Sequence, residues 1–298
     1  MTWDEPRPVF PTPPPASTLD GLRAFGPSVL QDPDGALRMW YCGHDGSTAR
    51  ILEAVQRPGL AWQYVGLSID AGMWGDTDAY GVESPSVVAT PGGYLMAYSG
   101  SDGADSRLHM AGSRDGHDWD ALGTFMQRGE GDSIGATHPC LLMTRRGWWL
   151  YYSGYDGSRD GRRASIHGAV SKSGASWDRI GAIFEPDEAE VAVTEPSVLA
   201  AQRRLFMFYV SDDDLRLTIE IATSTDGVDW YRQGNTVRPG EEGEGDGRHP
   251  SVRSPCAVRL ADGTLRLLYA AHDAGDADEA YRLWSTDYLI DSTNGRMK

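Results

Sequence analysis

Cysteine is scarce in this chain, with Cys42, Cys140 and Cys256 the only three in 298 residues. They are widely spaced, with no Cys-x-x-Cys pair and no zinc-ligand spacing, which excludes a disulfide framework and a structural zinc site. Free thiols suit a reducing compartment, so a cytoplasmic location is expected. Lysine is scarcer still, at Lys172 and Lys298 alone, and acidic side chains outnumber basic ones 43 to 27 for a net charge of −16. That balance repels a phosphate backbone, and nucleic acid is not expected as a partner. No hydrophobic run approaches the roughly 18 residues of a membrane helix. The opening stretch from Met1 to Pro8 lacks the apolar centre of a secretory signal, so no membrane partner is expected either. The Gly-rich run from Gly240 to Gly247 is acidic and precedes no helical pattern, which removes the nucleotide-binding readings of such runs. No cofactor and no bound metal are expected.

What the chain has is an internal repeat. Five segments align as Gly26-Pro-Ser-Val-Leu30, Ser84-Pro-Ser-Val-Val88, His138-Pro-Cys-Leu-Leu142, Glu195-Pro-Ser-Val-Leu199 and Ser254-Pro-Cys-Ala-Val258. Their prolines are separated by 58, 54, 57 and 59 residues, a period that marks a repeat architecture. Each is followed by an aromatic strand ending in a common pattern, as in Trp40-Tyr-Cys-Gly-His-Asp45 and Tyr151-Tyr-Ser-Gly-Tyr-Asp156. A third strand then leads through a Gly turn to Trp119, Trp177 or Trp230, a place that Trp62 takes in the first unit. Four short strands per unit with Gly/Asp turns and no long helical periodicity describe a propeller blade. The expected fold is all-β: a five-bladed β-propeller of four-stranded antiparallel blades, beginning near residues 24, 82, 136, 193 and 252, as a single domain over 1–298.

The fifth unit has only three strands of its own. The stretch Trp3-Asp-Glu-Pro-Arg-Pro-Val-Phe10 reads like Trp177-Asp-Arg-Ile-Gly-Ala-Ile-Phe184, so residues 1–10 are expected to supply the missing strand and cover the edge. Residues 11–19, rich in proline, are expected to form a stiff connector into the first blade.

These units resemble those of the five-bladed propeller superfamily of arabinanases, β-xylosidases, invertases and levansucrases, with the related mannoside phosphorylases. The resemblance runs over nearly the whole chain, and its shared motifs are chiefly structural. It implies the fold more strongly than any one reaction.

Symmetry separates scaffold from site. Residues present in every blade, namely the five prolines and Asp45, Asp102, Asp156, Asp213 and Asp273, are expected to serve folding, the aspartates by tying down turns. Asp115 and Asp226 of the Ser-x-Asp-Gly turns belong with them. Cys140 and Cys256 hold the small-residue position of Ser28, Ser86 and Ser197, which reads as packing and not as nucleophilic chemistry. The long connections 71–82, 126–137, 184–194 and 238–251 lie at the inner-strand starts, as does the loop 157–164 with Arg159, Arg162 and Arg163, and that face is expected to bind. Its non-repeating polar residues form two rings: Arg23, Glu83, His138, Glu195 and Arg253, then His44, Ser101, Tyr155, Asp212 and His272. Trp74 and Tyr80 lie on the rim. Converging titratable groups favour a polar ligand, a sugar or glycoside, which the arginines allow to be anionic.

Glycosidic cleavage needs a carboxylic acid to protonate the departing oxygen and a carboxylate to activate water or attack carbon. The resemblance implies an acid at an inner-strand start in a later blade, and Glu195 matches that motif, so it is the expected proton donor. Burial would raise its pKa, and Arg23 or Arg253 would lower it. The superfamily's blade-one Asp is here Gly26, its blade-three Asp is His138, and Ser254 stands where some relatives place a metal-linked His. Glu83 is the candidate second carboxylate, with Asp76, Asp78 and Asp212 as weaker substitutes and His138 as a base or hydroxyl ligand. Blades two and four face one another across the axis, which favours an inverting gap. Two readings stand: a glycosidase-type enzyme, or a non-hydrolytic tailoring enzyme or sugar-binding propeller that has lost the blade-one Asp.

Overall fold

The computed structural model describes residues 3–10, 15, 17–158, 161–201, 203–234, 251–272 and 281–288. The first strand, β1 (Arg7–Pro8), is followed by four units in chain order. They are β2 (Arg23–Gln31), β3 (Leu37–His44), β4 (Ala49–Gln56) and β5 (Gln63–Ile69); β6 (Gly81–Thr90), β7 (Gly93–Ser101), β8 (Ser106–Ser113) and β9 (Asp120–Thr124); β10 (Gly135–Thr144), β11 (Gly147–Tyr155), β12 (Ala164–Ser171) and β13 (Asp178–Phe184); and β14 (Ala192–Ala201), β15 (Arg204–Asp212), β16 (Leu217–Ser224) and β17 (Tyr231–Arg232). The last unit is β18 (Val252–Arg259), β19 (Leu265–His272) and β20 (Tyr281–Tyr288), and β1 completes it in the order β1-β20-β19-β18. Every blade is an antiparallel meander, and single parallel bridges, Ala49 to Gly81 and Ser106 to Gly135, join the first three.

The N-terminal strand closes the fifth blade as its outer edge. Arg7 pairs with Ser285 and Pro8 with Trp284, and an outer strand tolerates a proline that donates no ladder hydrogen bond. Asp4 N–H donates to the Asp287 carbonyl at 2.9 Å and Val9 N–H to Leu283 at 2.8 Å. Trp3 packs on Phe208 and Tyr288, and Phe10 on Tyr41. The strand therefore touches blades four, five and one.

Apolar residues alternate along the strands and fill the space between neighbouring blades, giving five cores. Trp40 meets Met96 and Tyr98, Leu108 meets Leu150 and Tyr152, Tyr151 meets Met207 and Tyr209, and Phe208 meets Leu267 and Tyr269. The fifth core joins Met39 and Tyr41 to Leu268 and Leu283. One core at each junction, including last to first, is what a closed ring requires.

The ring is also stitched by the residue after each repeat proline. Ser28 Oγ accepts from Val87 N–H at 2.9 Å, Ser86 from Leu141 at 2.8 Å, Cys140 Sγ from Val198 at 3.2 Å and Ser197 from Ala257 at 3.0 Å. Cys256 stands at the same position in blade five, where Val29 N–H of blade one acts on its thiol. This position needs a small acceptor, because a bulkier side chain or one without a lone pair would leave a buried N–H of the next inner strand unpaired. All three cysteines are free and buried. Burial pushes the Cys140 thiol up to about 11 and Cys256 up to about 12, so neither is a nucleophile at neutral pH.

Repeated carboxylates anchor the loops. Asp45, Asp102, Asp156 and Asp213 each accept backbone N–H bonds from the turn that follows, while Asp273 lies outside the described residues. Asp115 and Asp226 cap the turns before Trp119 and Trp230 in the same way. A second carboxylate series stands on the opposite flank of the aromatic strands. Asp20 accepts from Tyr41 Oη at 2.7 Å, Asp78 from Tyr98 at 3.4 Å and Asp132 from Tyr152 at 2.9 Å. Glu190 takes the equivalent place in blade four, bonded to Ser211 at 2.7 Å and Arg232 at 2.5 Å. Asp78 therefore belongs to a repeated loop clamp. The first three lie seven residues before their prolines, a regularity legible in the sequence.

Candidate functional site

Each inner strand carries a bulge at its X-Pro step, where the register slips between Phe25 and Ser28, Glu83 and Ser86, Thr137 and Cys140, Thr194 and Ser197, and Arg253 and Cys256. The X residues all have left-handed backbones: Gly26 (φ 58°), Ser84 (53°), His138 (50°), Glu195 (55°) and Ser254 (55°). Proline disfavours the right-handed helical region for its predecessor, and the bulge turns that residue toward the axis. A left-handed L-residue costs roughly 1–2 kcal/mol, which the surrounding ring offsets. In blade one a Cβ on Gly26 would lie 3.2 Å from Ser84 Cα, so a side chain there would need that neighbour to give by a few tenths of an ångström.

These five residues, their prolines and the Ser/Cys ring line a central throat of about 70 Å³. Small-molecule sites occupy about 300–1,000 Å³. The throat therefore has room for a hydroxyl or a water and not for a whole small molecule.

Glu195 sits at the throat, 5% exposed. Its Oε1 accepts from Arg253 Nη2 at 2.6 Å, and its Oε2 accepts from Ser254 N–H at 2.7 Å and Ser254 Oγ at 2.9 Å. Burial alone would push its pKa up. The charges of Arg253 and His138, with the hydrogen bonds from Arg253 and Ser254, more than reverse this and hold it at about 2. This network holds Glu195 as a carboxylate. The charge of Glu195 in turn keeps Arg253 protonated, above its ordinary pKa and against burial. The Arg253 guanidinium also lies over the Tyr281 ring at 5.6 Å.

His138 brings Nε2 to 3.6 Å from Glu195 Oε1, while its Nδ1 is hydrogen-bonded to Thr137 Oγ1 at 2.8 Å. Its Nε2 is shielded from solvent and has no hydrogen-bond partner, and the same holds for Ser84 Oγ across the throat. Glu83, one residue before Ser84, makes no hydrogen bond or ion pair among the described residues, yet its charge acts on His44, Tyr155 and Arg253. Tyr155 is pushed up by burial and then by the Glu195 charge, so its hydroxyl stays protonated. His44 accepts from Gly46 N–H through Nδ1 at 2.9 Å, and burial with the Arg23 charge lowers its pKa.

Other expected residues stand apart from the throat. Asp212 accepts from Asp214 N–H at 2.8 Å and Asp76 from Met73 N–H at 2.8 Å, each tied into its own turn. Arg162 pairs with Asp214, and Arg163 with Glu185 at 3.7 Å. Trp74 is 87% exposed on the loop entering β6, with Tyr80 at 6.2 Å between ring centres. The side chain of His272, Arg159 and residues 238–250 lie outside the described residues. Among the described residues no group of three or more His, Cys, Asp or Glu is placed to hold a metal ion, and no helix is long and apolar enough to cross a membrane.

No family model matches the chain, and no curated protein matches it in sequence. Solved structures do match it. A thermostable family-43 glycoside hydrolase is 15% identical over 90% of both chains, at a TM-score of 0.71. Zg3597, a family-117 glycoside hydrolase of the marine bacterium Zobellia galactanivorans, is 12% identical, with 94% of this chain and 91% of that one covered at a TM-score of 0.70. An α-L-arabinofuranosidase from Lactobacillus brevis is 12% identical over 91% of this chain and 92% of that one, at 0.68. The fold is that of the five-bladed propeller glycoside hydrolases.

Proposed function

We propose that this protein acts on a small glycoside or sugar-containing metabolite seated in the mouth of the funnel, cleaving a glycosidic bond. The observation that carries this reading is a locked anion, Glu195, beside His138, whose Nε2 has no hydrogen-bond partner among the described residues, with Glu83 one residue before Ser84 of the same throat. Glu83, which makes no ion pair among the described residues, serves as the proton donor to the departing oxygen as the glycosidic bond breaks. Water attacks the anomeric carbon from the opposite face, and His138 Nε2 takes the proton it sheds. The Glu195 carboxylate stabilises the imidazolium so formed, as a buried acid steadies a catalytic histidine elsewhere. Exchange with solvent returns the proton from His138 and restores Glu83. Tyr155 and His44 offer hydroxyl and imidazole contacts to the sugar, and Trp74 an apolar face at the rim. A water attacking opposite the departing group inverts the anomeric centre.

Glu83→Gln keeps shape and removes the proton, so turnover should fall by about 10²–10⁴-fold with little change in affinity. Steady-state rates on a panel of aryl glycosides, with the product anomer read by NMR, test this. Wild-type turnover in the Glu83→Gln variant overturns the assignment. A second reading is favoured by Gly26, which leaves blade one without a carboxylate at the throat: a sugar-binding propeller without turnover. Binding of saccharides by calorimetry, with no hydrolysis of any glycoside tested, would select it.

A further inference from the structure

Among the described residues, Arg23 is a cation without a partner. It opens β2 at the mouth, three residues before Gly26 at the throat, and pairs across the ladder with His44. It is half-buried, its Nε is shielded from solvent without an acceptor, and it makes no hydrogen bond or ion pair among the described residues. A guanidinium donor withdrawn from water without an acceptor is destabilising. This happens in a chain with 43 acidic side chains to 27 basic ones, where acceptors are abundant. Arg253 is different, since Glu195 already takes its Nη2. Nor does His44 compensate Arg23: its Nδ1 is occupied by Gly46 N–H. Glu83 stands near His44 but forms no ion pair with Arg23.

We propose that the substrate carries an anionic group, a carboxylate or a phosphate, and that Arg23 binds it at the blade-one side of the mouth. The inference rests on the funnel being a sugar site and names the class of sugar: an acidic one. A planar fork of N–H donors matches either oxyanion bidentately. Seated there, the anion holds the ring over the throat, with its glycosidic oxygen toward Glu83 and its attacked face toward His138.

Calorimetry with D-glucuronate, D-galacturonate and glucose 6-phosphate, each against D-glucose or D-galactose, tests this on wild type, Arg23→Gln and Arg23→Lys. The acidic sugar should bind at least about tenfold tighter than its neutral parent, a difference of about 1.4 kcal/mol. Arg23→Gln should bring the ratio of acidic to neutral affinity toward one, and Arg23→Lys should keep part of it. The uronate and phosphate arms tell the two anions apart. Should Arg23→Gln melt early, the wild-type ratio measured against added sodium chloride gives the same answer, because a charge contact at the mouth is screened. Equal affinities in wild type, no binding of any acidic sugar, a ratio untouched by Arg23→Gln, or a ratio independent of salt overturns the proposal. Glu83-dependent turnover of neutral glycosides without preference for acidic ones would overturn it and leave the glycosidase reading standing. Arg23-dependent binding of the acid without hydrolysis of its glycosides would do the reverse.

Discussion

At the scale of the residue, Glu195 shows how environment sets chemistry. Its sequence motif is that of an acid, but its two oxygens receive three hydrogen bonds, one from a guanidinium. Its folded pKa of about 2 lies below its ordinary 4.5, so the folded state binds this proton more weakly than the unfolded one. The stability this contributes, roughly 3 kcal/mol, is complete above the unfolded value and is lost as pH falls through the folded one. Glu195→Gln should therefore be less stable than wild type at neutral pH by roughly 3 kcal/mol, with the half-buried Arg253 left without its ion pair. The difference should narrow between about pH 5 and pH 2. Chemical unfolding of both proteins at stepped pH measures it, and a gap constant with pH would show that Glu195 is not ionised by this network.

At the scale of the element, the bulged inner strand does two jobs in three residues. X turns to the axis, proline fixes the bend, and the Ser or Cys that follows binds the next strand. Cys140→Ser preserves an acceptor for Val198 N–H and should change stability by less than about 1 kcal/mol. Cys140→Val fills similar space without an acceptor and should cost about 1–3 kcal/mol, the penalty of an unsatisfied buried donor. Equal melting midpoints for the two variants would reduce the ring of acceptors to packing alone. The repeat of X-Pro-Ser/Cys was legible because symmetry forces the same solution five times. The left-handed backbone at X was not, because nothing local in Ser84, His138 or Glu195 favours it; only closure around the axis imposes it.

At the scale of the whole molecule, the N-terminal strand joins three blades through Trp3, Val9 and Phe10. Removing residues 1–10 uncovers β20 and strips apolar cover from two cores. With a few kcal/mol of burial lost, the melting midpoint should drop by roughly 10 °C. An unchanged midpoint by scanning calorimetry would mean that the ring holds without this strand.

The fold and the closing strand followed from the sequence itself, because a repeated unit writes its hydrophobic pattern, turns and tryptophan over and over, and each copy checks the others. The funnel residues could be picked out by the opposite test, as those that break the repeat. Which charge answers which was beyond that reading. Arg253 rather than Arg23 reaches Glu195, and Asp78 turns away to Tyr98, because pairings across the axis join residues far apart in the chain whose distance is set by how five blades close. The ionisation of Glu195 and the open donor of Arg23 are consequences of that closure, and so belong to the tertiary structure alone.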